Sequence, residues 1–425
     1  MYPGAHAAND PGRPAAIMAE TGETLTYAAL EEASIRLARC LHDKGLRKGD
    51  HLALLSSNDL RCFVVFWAAL RSGLYITAIN RHLGPDEVAY IVKDSGANAL
   101  ICSGSCAPLL SSVDQSWPNL RVRLAYDGEI SGFESYEAQL ANSSAEPFAN
   151  QPCGMDMLYS SGTTGQPKGI KRPLPDRQVS ERGDPLLELN ARMYGMAADT
   201  VYLSPAPLYH AAPLRFGGIV QALGGTVIVM KRFDAEQALA AIEKYHVTHS
   251  QWVPTMFVRM LKLPDEVRKR YDLSSMKVAI HAAAPCPVDV KNAMLEWWGP
   301  IIHEYYGSTE GAGGTFISPQ EWVERPGSVG KAGLGIIHIC DENGVEQPVG
   351  VPGTIYFERE ELPFRYHNDE EKTRSAIHPL HPTWTTTGDV GYLDEQGYLY
   401  LTDRKAFMII SGGVNIYPQE VENCL

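Results

Sequence analysis

The chain has 425 residues, more than one hydrophobic core can hold, since single cores stop growing near roughly 250–300 residues. Its 44% hydrophobic and 20% charged content is that of a soluble globular protein. With 37 basic against 50 acidic side chains the net charge is −13. That balance argues against a general nucleic-acid or membrane-surface binder, so an anionic ligand must be met by local positive groups. Eight cysteines (Cys40, Cys62, Cys102, Cys106, Cys153, Cys286, Cys340, Cys424) show neither CxxC pairs nor metal-ligand spacing, and most sit among apolar neighbours as buried free thiols do. There is no basic-then-apolar leader and no apolar run of about 18 residues, which reads as a cytoplasmic protein.

The first part of the chain alternates helical and strand patterns. Tyr27 to Gly45 carries Leu30, Leu37 and Leu41 at helical spacing behind a capping Thr26. His51 to Leu55 reads as a buried strand, Arg61 to Arg71 as a helix and Tyr75 to Ile79 as a second strand. Pro85 to Asp94 reads as a helix with proline in its first turn, and Ala99 to Cys102 as a strand. Alternation of this kind predicts parallel sheets with helices on both faces. Ala141 to Pro152, polar and without clear periodicity, is the best linker candidate.

A glycine-rich run follows at 159–169, Tyr-Ser-Ser-Gly-Thr-Thr-Gly-Gln-Pro-Lys-Gly. Glycines allow close backbone approach to a ligand, hydroxyls bond phosphate oxygens, and Lys168 supplies a point charge. Successive N–H groups in such a loop make an anion-binding concavity. Lys168 precedes Gly169 and Ile170 follows, so the order is not that of a Walker A loop. The run resembles the phosphate loop of the adenylate-forming superfamily, which includes acyl- and aryl-CoA synthetases, peptide-synthetase adenylation domains and firefly luciferase. The resemblance implies that Ser160, Ser161, Gly162, Thr163, Thr164, Gly165 and Lys168 hold the β- and γ-phosphates of ATP.

The alternation resumes with a strand at Thr226 to Met230, a helix at Asp234 to Tyr245 and a strand at Met276 to Ile280. Turn signals at Asp341–Gly344 and Asp394–Gly397, flanked by short β-like runs, predict a β-rich region after about residue 330.

Further segments resemble superfamily motifs in the superfamily's order. Ala206 to Pro213 is similar to the P-L-x-H segment of acyl-CoA synthetases, which places His210 and Ala211 at the acyl pocket. Gln251 to Thr255 resembles a pocket-wall segment containing Trp252, although a buried tryptophan there could equally be ordinary core. Ala282 to Pro287 resembles the small-residue segment against adenine (Ala283, Ala284, Pro285), with Ala282 toward the acyl pocket and His281 where glycine is common. The run 303–311, His-Glu-Tyr-Tyr-Gly-Ser-Thr-Glu-Gly, resembles the Y-G-x-T-E motif. By that resemblance Tyr306 stacks on adenine beside Gly307, Thr309 contacts the α-phosphate, and Glu310 coordinates Mg²⁺, a cation that wants hard oxygen ligands. Tyr305 falls to the acyl pocket. Thr387-Gly-Asp389 and Arg404 match the ribose-binding pair, a carboxylate being a natural acceptor for a vicinal diol. Ser411 to Glu420 resembles the loop after the interdomain hinge, which places Ala406, Gly412 and Gly413 at the hinge and thiol channel.

Two features depart from the pattern. The chain stops at Leu425, so the resemblance implies that the small C-terminal lid domain is nearly all absent, together with the lysine that bridges carboxylate and phosphate oxygens during adenylation. Loss of one such donor costs ~2.7–4 kcal/mol, or roughly 10²–10³ in rate, so weak or undetectable activity is expected from this chain and normal activity from a longer parent. Ala406 also stands where Asp or Lys is common, which leaves the hinge residue open.

The expected fold is α/β. An AMP-binding domain spans 1–403, with lobes at about 1–150, 151–330 and 331–403 (the last a β-rich distorted barrel), and 404–425 begins a C-terminal domain. The implied function is that of an ATP-, Mg²⁺- and CoA-dependent carboxylic acid–CoA ligase acting on a fatty or other bulky hydrophobic acid. Alternatives are transfer to a carrier protein, a luciferase-like oxidation, and a module that binds ATP or acyl-adenylate without turnover. No motif fixes oligomeric state, a homodimer being one alternative.

Overall fold

The computed structural model describes residues 2–114, 116–160, 166–404, 409–411 and 414–416, with side chains up to Thr402. The chain divides into two units: unit 1 holds 1–159, 173–233 and 244–249, and unit 2 holds 160–172, 234–243 and 250–425.

Unit 1 contains a fully parallel six-stranded sheet. Its strands run Glu134–Ser135, Val122–Tyr126, Ala99–Ser103, His51–Leu55, Tyr75–Ile79 and Met155–Asp156 in spatial order. The three five-residue strands at His51, Tyr75 and Ala99 are buried along their whole length, as expected for strands covered on both faces. Helix Tyr27–Asp43 leads into the first of them, and helices Arg61–Arg71 and Pro85–Asp94 connect the three in turn. Thr26 caps the first, its hydroxyl accepting from Ala29 N–H at 3.2 Å. A second sheet pairs Pro14–Met18 and Val201–Ser204 in parallel with Thr226–Val229. Helix Ala211–Leu223 brings Gly217 against Phe63, where a Cβ would lie 2.6 Å from the ring. Glycine is required there for close approach.

Unit 2 begins its sheet with Val278–His281 parallel to Ile302–Gly307, then continues antiparallel through Gly314–Ile317 and Ser328–Leu334. The expected strand start at Met276 is displaced, because Met276 N–H closes a turn onto Leu273 O. Beyond residue 330 an antiparallel set joins Ser328–Leu334, Leu399–Arg404, Asp389–Leu393, Gly353–Glu358 and Ile336–Cys340. Both expected turns are present: Asp341 accepts from Asn343 and Val345 N–H, Asp394 from Gln396 and Tyr398 N–H, and Gly344 and Gly397 each sit at φ +81. Ile170, Ile355, Phe357, Phe364, Tyr366 and Leu399 form a core of this unit. The α/β class with a β-rich region is thus observed.

Cys40, Cys62, Cys102, Cys106, Cys153 and Cys340 are buried free thiols and Cys286 is half-buried; Cys424 lies outside the described residues. No helix among the described residues is long and apolar enough to cross a membrane.

Candidate active site

Strand Lys168–Lys171, which follows the glycine-rich loop, pairs antiparallel with Arg365–Tyr366, and His367 N–H bonds Gly169 O at 2.7 Å. This pairing sets the Lys168 ammonium 6.0 Å from the centre of the Tyr366 ring. The Tyr366 hydroxyl in turn donates to Glu310 Oε1 at 3.0 Å. Burial and nearby Lys372 push the Lys168 pKa down, while Asp369 and Glu310 pull it up. The expected cation and carboxylate are therefore neighbours with a phenol between them. Tyr366 escaped the sequence reading because only strand pairing brings it beside Lys168. Ser160 is half-buried in unit 2; Ser161, Gly162, Thr163, Thr164 and Gly165 lie outside the described residues.

Strand Ile302–Gly307 carries the next group. Tyr306 is half-buried, and its hydroxyl donates to Asp389 Oδ2 at 2.7 Å. The same oxygen accepts from Thr387 Oγ1 at 2.9 Å, inside a site where Asp389 is only 4% exposed. Asp389 lies opposite Arg404 in the antiparallel ladder. The Arg404 side chain, Ala406, Gly412 and Gly413 are outside the described residues. Past exposed Gly307 the chain turns, Gly311 N–H bonding Ser308 O at 3.1 Å, which leaves Thr309 half-buried and Glu310 buried.

Ala282 to Pro285 leaves the neighbouring strand. Ala282 is buried, and its N–H bonds Trp252 O at 3.3 Å. Ala283 is exposed at φ +75, a left-handed conformation that costs an L-residue about 1–2 kcal/mol. Ala284 is half-buried and Pro285 exposed. Strain in this segment is the kind that collects at ligand-binding loops.

Beneath it lies a charged cluster that the sequence reading did not assign. Lys291 and Glu304 are both buried, with Nζ 2.5 Å from Oε2, and the ammonium lies 4.6 Å over the Trp322 ring. His281 is fully buried with Nε2 3.3 Å from the same Glu304 oxygen. Burial pushes Lys291 down and Glu304 up, and their mutual attraction opposes both shifts. Burial first, then Lys291, holds the His281 ring well below its ordinary pKa and therefore neutral. A signal existed: Lys291 shares a helix face with Met294, and Glu304 a strand face with Ile302.

Of the expected acyl-pocket residues, Trp252 is 1% exposed, donates from Nε1 to Ser250 Oγ at 2.6 Å, and packs edge-on against Trp298. Half-buried Tyr305 accepts from Gln251 Nε2 at 2.8 Å. These and Ala282 belong to unit 2, whereas His210 and Ala211 belong to unit 1. His210 precedes helix Ala211–Leu223 as its capping residue, 4.5 Å from the Tyr209 ring. Crowding of the ring by protein, with His82 nearby, pushes its pKa down to about 4. The residue is open to solvent, and the ring is neutral at pH 7.

Among the described residues no cluster of three or more His, Cys, Asp or Glu side chains could cage a metal. Glu310 offers a single hard-oxygen group, which fits Mg²⁺ arriving with phosphate ligands of its own.

Unit 2 thus holds a lysine beside Tyr366 and its partner Glu310, an aromatic ring tied to Asp389, and a strained small-residue segment. The match to the AMP-binding enzyme family runs over residues 4–365, and the chain belongs to that family. It is 28% identical over 417 residues to a long-chain-fatty-acid–CoA ligase of Mycobacterium tuberculosis, FadD13, covering 95% of this chain and 78% of the relative. It is 32% identical over 410 residues to a feruloyl-CoA synthase of Amycolatopsis, with the same coverages. Among solved structures, an amide bond synthetase from Marinactinospora thermotolerans superposes with a TM-score of 0.84 at 25% identity, covering all of this chain and 83% of that one. These matches bear out the resemblance to the adenylate-forming superfamily.

Proposed function

We propose that this protein is an AMP-forming carboxylic acid–CoA ligase whose acid is fatty or otherwise bulky and hydrophobic. The observation that carries the reading is the segment Tyr305–Glu310. Within six residues it presents a ring tethered to Asp389, a half-buried hydroxyl at Thr309 and a buried carboxylate at Glu310 beside Lys168 and Tyr366. Purine, α-phosphate and the metal-bearing end of a triphosphate are met in that order.

The substrate carboxylate attacks the α-phosphorus, pyrophosphate leaves, and the acyl carbon is then taken by the CoA thiol as AMP departs. Two anions must approach each other, so local cations matter more than the global charge of −13. Lys168 offsets charge on the departing phosphates. Glu310 would hold Mg²⁺ arriving with ATP, and the cation would supply further electrostatic neutralisation there. Asp389, fixed by two hydroxyl donors, is positioned to accept from the ribose diol. Tyr306 offers its face to adenine, and Ala283 to Pro285 allow the close approach a ring needs. Within unit 2, small Ala282 leaves room for a large acyl group, with half-buried Tyr305 as a wall. The two CoA-forming relatives support CoA as acceptor.

The test, run on a form of the protein that carries the expected C-terminal lid, is a panel of carboxylic acids, from short aliphatic through long-chain to hydroxycinnamic, incubated with ATP, Mg²⁺ and CoA and read by mass spectrometry. Acyl-CoA with matched AMP, strongest for the bulky acids, is expected. Adenylate without thioester would move the acceptor to a carrier protein, and preference for short acids would overturn the substrate assignment.

A further inference from the structure

Both ends of the loop Ala282–Pro287 lie against one carboxylate. At its start, His281 lies opposite Glu304 in the parallel ladder, with Nε2 3.3 Å from Oε2. At its end, Lys291 in the first turns of helix Val288–Trp298 reaches the same oxygen at 2.5 Å. Glu304 itself stands two residues before Tyr306 and six before Glu310. A single buried oxygen thus sets the two segments that carry the nucleotide-binding residues relative to each other.

This cluster is a poor choice for stability alone. Two charges removed from water cost more than an apolar pair of similar volume, and their attraction seldom recovers the difference. Leu and Met would fill the space without electrostatic cost. What the ions add is direction: Lys291 must point at Glu304, which fixes the rotation of its helix and the path of the loop. His281 needs the same explanation, because neither ring nitrogen is engaged in a well-aligned hydrogen bond although the side chain is fully buried. The Phe257 ring, edge-on at 5.6 Å, holds the imidazole in place.

We infer that Glu304 and Lys291, with His281 between strand and loop, are positioning residues for the nucleotide: they hold Ala283–Pro285 and Tyr306–Glu310 at the separation that an adenylate requires. The inference rests on the adenylate-forming reading of the site.

The test uses the full 425-residue chain and needs no turnover. Affinities for ATP and for a non-hydrolysable acyl-adenylate sulfamate are measured by calorimetry, together with the melting temperature. The double variant Lys291→Met/Glu304→Leu is expected to melt at or above the parent temperature while binding both nucleotides roughly 10-fold or more weakly, since small displacements at a preorganised site are amplified. Stability and affinity then move in opposite directions, which a merely structural pair would not produce. Parent affinity in the folded double variant overturns the inference. Glu304→Asp, which keeps the charge but draws it back, serves if the double variant does not fold. A folded aspartate variant with weakened nucleotide binding supports the role, and one with parent affinity overturns it. If the unaltered chain binds neither ligand, the functional reading fails first and this inference falls with it.

Discussion

The Tyr306 hydroxyl donates to Asp389 Oδ2 across 83 residues of chain, joining the strand that ends in the Thr309–Glu310 turn to the strand that begins the β-rich ladder. The contact makes the aromatic ring and the carboxylate one unit, so that a purine and its ribose would be met together. Removing one partner of a buried hydrogen bond costs about 1–3 kcal/mol when the other is left unsatisfied. Asp389→Ala is accordingly expected to weaken AMP binding by roughly 10-fold or more, and Tyr306→Phe by only a few fold, because Thr387 still serves the same oxygen. Calorimetric titration with AMP checks both; equal effects would argue that the tether is incidental.

Glu310 and its Tyr366 partner separate charge from scaffold. Glu310→Gln removes the negative charge but leaves an oxygen to accept from Tyr366, whereas Tyr366→Phe leaves the charge and removes the donor. For AMP formation the first is expected to cost roughly 10²-fold in kcat with a raised Mg²⁺ requirement. The second is expected to cost a few fold at an unchanged Mg²⁺ requirement. A magnesium titration of AMP release by the lid-bearing form of the protein distinguishes them.

Ala283 stores backbone strain at φ +75. Ala283→Gly relieves about 1–2 kcal/mol of it but loosens the unfolded chain by about 0.4–1 kcal/mol, leaving a net gain on the order of 0.5–1 kcal/mol. Denaturant unfolding measures the gain. A loss of stability would mean that the conformation is relaxed in solution.

Acid sensitivity follows from His281. Its unfolded ring takes a proton near pH 6.5, whereas burial and Lys291 keep the folded ring neutral well below that. The unfolded state therefore binds more protons below about pH 6.5, and stability is full above that value and declines as pH falls through it. Glu304, raised by burial, contributes with the opposite sign from its unfolded value of about 4.3 upward, so the comparison is made against a variant. The melting temperature should fall between about pH 7.5 and about pH 5.5, and fall less in His281→Gln. Parallel slopes would exclude His281 as the source.

What the sequence disclosed follows from how local each signal was. His51–Leu55, Arg61–Arg71, Tyr75–Ile79 and Pro85–Asp94 form where apolar runs and an N-terminal proline put them, since such signals need no distant partner. The motif residues Lys168, Tyr306, Glu310 and Asp389 were named from order alone, but their mutual contacts were not. Tyr366 reaches Glu310 from 56 residues away, and Lys291 meets Glu304 only when helix and strand pack. A charge on an apolar face marks such a pair without naming its partner.

The central claim, that a carboxylate oxygen attacks the α-phosphate of ATP, has a direct test. A preferred acid labelled with oxygen-18 in its carboxyl group is turned over with ATP, Mg²⁺ and CoA by the lid-bearing form of the protein, and the nucleotide and phosphate products are analysed by mass spectrometry. One labelled oxygen in AMP, with unlabelled pyrophosphate, is the predicted result. Label in inorganic phosphate, with ADP as the nucleotide product, would place the attack elsewhere and contradict the account.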